Sequence, residues 1–365
     1  MPDRHLDRIG RAAKEAEAAG AAALLVAPSA DMVYLAGYDP PPLERLTCLV
    51  VRADRDPVLL VPELERPRAV ESPVGKRIDI EFWSDGQDPY QALSGFLPDD
   101  GVFGTSDRMW AVHLLGAQRI RPDARFVPAS PILSRLRAVK DDEELELLSR
   151  AGRGADEAFR HLVESQLEGL REEEVAVLLS SLLRENGHES VAFTIVGSGP
   201  NGASPHHEPG GRSVRAGDPV VLDFGGRVGG YCSDISRTVC VGESPEGFTE
   251  VYDVVREAQE AAFRAIRPGV SARDVDAAAR SVIESAGYGE RFIHRTGHGI
   301  GLEEHEPPWI ASHNDQPLEV GMCFSIEPGI YLEGRFGVRI EDIVAVTQDG
   351  ANRLNRASRD LVTVA

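Results

Sequence analysis

Asp223 and Asp234 flank Arg227-Val228-Gly229-Gly230, and Glu327 and Glu341 flank Glu333-Gly334-Arg335. In both places a hydrophobic, strand-like run enters a turn and another leaves it, so each acidic pair belongs to one hairpin. A two- or four-residue turn in the first sets Asp223 opposite Asp234. An odd-length turn through Gly334 sets Glu327 opposite Glu341, and such opposed residues have β-carbons roughly 4.5–5.5 Å apart. Like charges facing each other across paired strands are destabilising. Two such pairs, each inside a buried-looking run, call for cations.

The order of elements repeats. Gly217-Asp-Pro-Val-Val-Leu-Asp223 and Gly321-Met-Cys-Phe-Ser-Ile-Glu327 each place an acid six residues after a glycine, at the end of an apolar run. Each follows a Gly- and His-bearing segment, Gly197–His207 and Thr296–His305, and two helical stretches precede each of those. The C-terminal part therefore reads as an internal duplication of helix, helix, His-bearing loop and acidic hairpin. Facing halves bring four carboxylates and several histidines to one place. Four carboxylates with a neutral imidazole suit two divalent ions, bridged at roughly 3.5–4 Å. The ligand set is Asp223, Asp234, His298, Glu327 and Glu341. Oxygen and nitrogen donors without thiolate favour Mn, Co, Fe or Zn.

These motifs closely resemble the pita-bread metallopeptidases, and within them the Xaa-Pro branch of prolidase and aminopeptidase P. The resemblance rests on Val-Leu-Asp223-Phe-Gly, Asp234-Ile-Ser-Arg-Thr, His294-Arg-Thr-Gly-His298-Gly-Ile-Gly-Leu, Glu327-Pro-Gly-Ile-Tyr and Gly-Val-Arg339-Ile-Glu341-Asp. It covers residues 138–365, with a looser likeness to the creatinase and prolidase N-terminal domain over the first ~135 residues. It implies a dinuclear site, with Mn foremost, that hydrolyses the Xaa-Pro bond of dipeptides or short peptides. His206 and His305 match positions that stabilise the reacting amide, and His294 matches a histidine near the substrate. Glu327 matches the residue that is ligand and proton carrier together, and Arg339 the one that holds carboxylate and substrate in place. A homodimer, with the N-terminal domain helping to close the site, is also implied.

In one place the sequence departs from the dipeptide-specific pattern. Many dipeptide-specific prolidases carry a basic residue shortly after the His-Glu pair, where it meets the substrate's terminal carboxylate. Here His305-Glu306-Pro307-Pro308 runs into Trp309, and neither Arg nor Lys occurs before Arg335. Carboxylate capture then has to come from His206, Arg212 or the N-terminal domain. An aminopeptidase P acting on longer peptides is the alternative, as is an ectoine-hydrolase-like amidohydrolase on the same fold. A creatinase-like hydrolase or a dead binding protein would have lost ligands, and none is lost here.

The surrounding elements agree. Residues 1–137 alternate helical and strand-like runs: helical Leu6–Ala19, then the short apolar runs Ala23–Ala27, Met32–Leu35, Leu46–Val51 and Val58–Val61. That predicts an α/β domain with a mostly buried sheet. A second domain, 138–365, opens with a helix capped at Asp141; its amphipathic helices before antiparallel hairpins predict α+β. Another of those helices starts at Ser271, with Asp274 completing a capping box.

The net charge of −20 argues against nucleic acid and anionic membrane as partners. The four cysteines form no CxxC pair and read as buried thiols, which suits a reducing cytoplasm. The small-apolar run Ala19–Ala27 is too short to span a bilayer and lacks the flanks of a signal peptide. Lysine occurs only at 14, 76 and 140 among 39 basic residues, a bias to which the sequence assigns no role.

Overall fold

The computed structural model describes residues 4–365. The chain divides into two compact units, Met1–Arg137 and Ala138–Ala365. The first is built on a six-stranded mixed sheet. Its central strand, Ala23–Val26, pairs antiparallel with Cys48–Val51 and parallel with Val102–Thr105. Every residue of those two flanked strands, 23–26 and 48–51, is buried, as expected where both faces of a sheet are covered. Met32–Leu35 is not a strand. It lies in the helix Ala30–Ala36, which buries Met32, Tyr34 and Leu35 and ends at Gly37 in the left-handed conformation. Short apolar runs carry no period long enough to separate a strand from a buried helix.

The second unit shows the repeat. Helices Asp142–Val163 and Glu172–Glu185 precede the strand Ser190–Ser198 and the hairpin Pro219–Val228, Tyr231–Cys232 and Ile235–Val241. Helices Phe248–Ala265 and Ala272–Ser285 precede Gly297–Gly299, Glu306–Ile310 and the strands from Cys323 to Val346. Each helix pair packs on its own sheet and makes its own apolar core. The opening helix carries a full capping box: Glu144 N–H donates to Asp141 Oδ1 at 2.9 Å, and Asp141 N–H donates to Glu144 Oε2 at 2.9 Å. At the last helix, Ser271 Oγ accepts from Asp274 N–H at 3.1 Å, which is half of the expected box.

The two hairpins differ in how their expected register fares. In the second, Leu332 pairs with Phe336 and Gly329 with Arg339, symmetric about Gly334, and Ile326 with Asp342 keeps that register beyond. Glu327 and Glu341 stand at the step between the two ladders. In the first, the ladder pairs Asp223 with Ser236, not with Asp234. Val228 pairs with Tyr231 across a two-residue turn of Gly229 and Gly230, whose φ angles are 58° and 82°. Positive φ at both positions is what the favoured hairpin turn requires, and glycine meets it without a Cβ penalty. Centring the turn on Gly229-Gly230 moves the midpoint one residue and the partner two, so Asp234 stands diagonal to Asp223.

All four cysteines lie in strands, buried and free. No helix among the described residues is long and apolar enough to cross a membrane.

Candidate metal centre and active site

Alternation along the strands directs the acids to one side. Val220, Leu222 and Phe224 belong to the core under the first helix pair, so Asp223 points the other way. Phe324 and Ile326 belong to the second core, which turns Ser325 and Glu327 outward from it. Val338 and Ile340 do the same for Arg339 and Glu341. The halves are stitched between these faces. Glu341 N–H donates to Ser236 O at 3.0 Å, and Ser236 Oγ–H donates to Glu341 Oε2 at 2.9 Å. Thr238 Oγ1 accepts from Arg339 N–H and donates to Arg339 O, both at 3.1 Å.

Three overlapping sets of side chains result: Asp223, Asp234 and Glu341; His298, Glu327 and Glu341; and Asp234, His298 and His305. Within each set the potential ligand atoms lie within 4.8 Å of one another. The five residues predicted as ligands are thus brought together, and His305 joins them. Asp223 Oδ1, Asp234 Oδ1 and Glu341 Oε1 are buried with no hydrogen-bond partner among the described residues. Buried polar atoms are normally satisfied, and an unpaired buried carboxylate oxygen is costly. A divalent cation satisfies such oxygens, so the donor set fits the ions expected.

The electrostatics agree. Burial, with Glu341 and Asp223 beside it, pushes Asp234 well above the usual carboxylate range. Burial, with Glu327 and Asp223 beside it, does the same to Glu341. Glu327 is pushed up to about 7, chiefly by burial, although Arg339 opposes the rise. Burial holds His298 down at about 3, with His305 adding to the effect. His298 is therefore neutral. Its Nδ1 lies 3.1 Å from Gly299 O, an arrangement that keeps the proton on Nδ1 and turns the Nε2 lone pair toward the acids. Nε2 lies 3.3 Å from Glu327 Oε1 and 3.7 Å from Asp234 Oδ2.

A polar chain runs outward from Asp223. Arg339 Nη2 donates to Asp223 Oδ2 at 2.5 Å, Nη1 donates to the Tyr331 hydroxyl at 2.9 Å, and Nε donates to Ser236 Oγ at 2.8 Å. Tyr331 in turn lies 2.9 Å from His294 Nε2. Arg339 Nη1 also donates to Pro205 O at 3.3 Å, next to exposed His206. Burial lowers His294 to about 4 and keeps it neutral. The His305 ring lies tilted against that of His298, centroids 3.9 Å and planes 44° apart. Arg212 is committed elsewhere, to Asp218 at 2.6 Å and to Ser198 Oγ.

Sequence reasoning passed over Tyr331, Ser236 and Ser325, whose Oγ donates to Glu327 Oε1 at 3.3 Å. Each lies two or four residues from a predicted ligand, so period-two alternation could have found them.

The first unit and the second each match a known family. Residues 8–139 match the creatinase/prolidase N-terminal domain, and residues 146–348 match metallopeptidase family M24. The chain belongs to metallopeptidase family M24. It is a peptidase with the family's pita-bread catalytic domain. This M24 chain is 44% identical over 363 residues to the probable dipeptidase PepE of Mycobacterium tuberculosis, covering 98% of this chain and 96% of that one. It is 40% identical to the Xaa-Pro dipeptidase of Lactobacillus helveticus, covering 90% and 91%. The crystal structure of dipeptidase PepE from Mycobacterium ulcerans superposes with a TM-score of 0.95 at 41% identity, covering 100% and 99%.

Proposed function

We propose that this M24 peptidase hydrolyses the Xaa-Pro bond of dipeptides, using two divalent ions, Mn foremost, held by Asp223, Asp234, His298, Glu327 and Glu341. The observation that carries the reading is the set of buried, unpartnered carboxylate oxygens on Asp223, Asp234 and Glu341, which face one another beside a neutral His298. When bound, the ion pair supplies Lewis acidity and a hydroxide nucleophile at neutral pH.

The chain's own residues do the rest. The substrate's prolyl nitrogen is tertiary and carries no hydrogen, so it leaves only once protonated. Glu327, which the resemblance gives as ligand and proton carrier together, delivers that proton. His305, beside His298, and His206 hydrogen-bond the reacting carbonyl and amide. His294 lines the substrate side, oriented by the Tyr331 hydroxyl. Arg339 orients Asp223 through a charge-assisted bond. A homodimer in the reducing cytoplasm, with residues 1–137 serving dimerisation and closure, completes the proposal; the buried thiols favour that compartment.

Hydrolysis of Ala-Pro, Ala-Pro-Ala and Ala-Ala-Ala by Mn-loaded protein, beside a chelated control, tests it. Metal-dependent cleavage of Ala-Pro is expected. Cleavage of Ala-Pro-Ala with little of Ala-Pro would favour an aminopeptidase instead. No cleavage of any proline peptide would sink the reading.

A further inference from the structure

The missing base after His305-Glu306 leaves open what meets a dipeptide's terminal carboxylate. Trp309, which stands in that place, pairs directly with His298 across the strands Gly297–Gly299 and Glu306–Ile310. Directly opposed residues point to the same face. The Trp309 ring therefore lies on the His298 side of the sheet. Over that ring, 4.3 Å from its centroid, stands the guanidinium of Arg295.

The other arginines around the site are occupied. Arg339 binds Asp223, Arg237 binds Asp342 at 2.7 Å, Arg280 binds Asp276 at 2.9 Å and Arg212 binds Asp218. Arg295 makes no side-chain hydrogen bond or ion pair with any described residue and is half-buried. Burial accordingly lowers its proton affinity, with Glu327 opposing. A half-buried guanidinium without an anion is costly to keep. Stacking on an aromatic ring holds its plane while leaving the N–H edges free, and that edge matches a carboxylate bidentately.

We propose that Arg295, held over the Trp309 ring, receives the α-carboxylate of the substrate's C-terminal proline and so sets a preference for dipeptides over longer peptides. This rests on the Xaa-Pro reading above. In this chain the cation follows His294 rather than the His-Glu pair, and the indole of Trp309 lies under it.

The test compares Ala-Pro with Ala-Pro-amide, which differ only in the terminal charge, on Mn-loaded wild type and on Arg295→Met and Arg295→Lys. Methionine keeps an apolar chain over Trp309 without donors. The wild type should favour Ala-Pro by about 100-fold in kcat/KM, the scale of a lost buried charge partner. Arg295→Met should bring the two substrates within about threefold by losing activity on Ala-Pro alone, and Arg295→Lys should recover part of the preference. L-proline should likewise inhibit the wild type more strongly than prolinamide, and Arg295→Met should erase that difference. Equal losses on both substrates, or a preference that survives Arg295→Met, would overturn the assignment while leaving the Xaa-Pro activity standing. If the wild type cuts neither substrate, the activity reading fails and this one with it.

Discussion

Arg339 Nη2 lies 2.5 Å from Asp223 Oδ2, with Arg339 buried and Asp223 partly buried at the junction of the two repeated halves. The same guanidinium holds Tyr331 and Ser236, so one residue sets the angle of a candidate ligand from the other half. Arg339→Lys keeps the charge and loses the fork. It should lower activity or metal affinity by about 10–100-fold, the usual effect of losing a group that orients a ligand. Metal titration alongside kinetics distinguishes the two losses; full turnover and full metal content would contradict the role.

Asp223→Asn and Glu341→Gln each remove one of the charges that the cation pair requires. Elemental analysis after loading and desalting should find fewer than two ions per chain, with turnover nearly abolished. A fully active variant with two bound ions would exclude that residue from the ligand set.

Metal uptake should release protons below neutral pH. Glu327, near 7, retains a proton at pH 6 that a cation displaces, and the upward shifts of Asp234 and Glu341 act in the same direction. His298, held near 3, is already neutral and contributes none. Apparent affinity should therefore rise with pH through this range. Calorimetry in two buffers of different ionisation enthalpy measures the release directly, and identical heats in both would refute it.

Glu172, fully buried at the start of its helix, gathers the loop that carries His206. It accepts from Ser198 N–H and Oγ–H at 2.8 and 2.7 Å, and from Asn201 and Gly210, with His207 Nε2 at 2.8 Å. Burial acts to raise its proton affinity, but these hydrogen bonds, led by Ser198, outweigh it and the net shift is downward. A depressed folded-state value stabilises above the unfolded value and is lost as pH falls through the folded one. Glu172→Gln should cost about 2 kcal/mol at pH 7, the scale of hydrogen bonds to a charged acceptor. The gap between variant and wild type should narrow below pH 4.5, the ordinary value that Glu172 falls beneath. Thermal melts across pH read this out; a constant gap would show that the charge is irrelevant.

Burial pushes the Cys48 and Cys323 thiols up to about 12. Thiolate is the reactive form, so a disulfide reagent at pH 8 should leave both unmodified in the folded protein and label them once denatured. Rapid labelling under native conditions would place them in an accessible environment.

The pairing of acids on hairpins and the second hairpin's register were legible because strand alternation and a symmetric turn are local properties. The first hairpin was misread by one residue at its midpoint: the symmetric spacing of the acids suggested a turn on Val228-Gly229, whereas the positive φ needed at both turn positions is met by Gly229-Gly230 and disfavoured at the β-branched Val228. Met32–Leu35 was misread for lack of a full helical period.

By itself the sequence determined which side chains carry charge, how they repeat, and that strands would carry them in pairs. Only the tertiary structure decided what each meets across the chain: Ser236 on Glu341, Arg339 on Asp223, and Arg295 over Trp309 beside His298. The first two unite residues more than 100 positions apart. Local propensity holds no information about such contacts, because they form only when two separately built sheets bring their polar faces together.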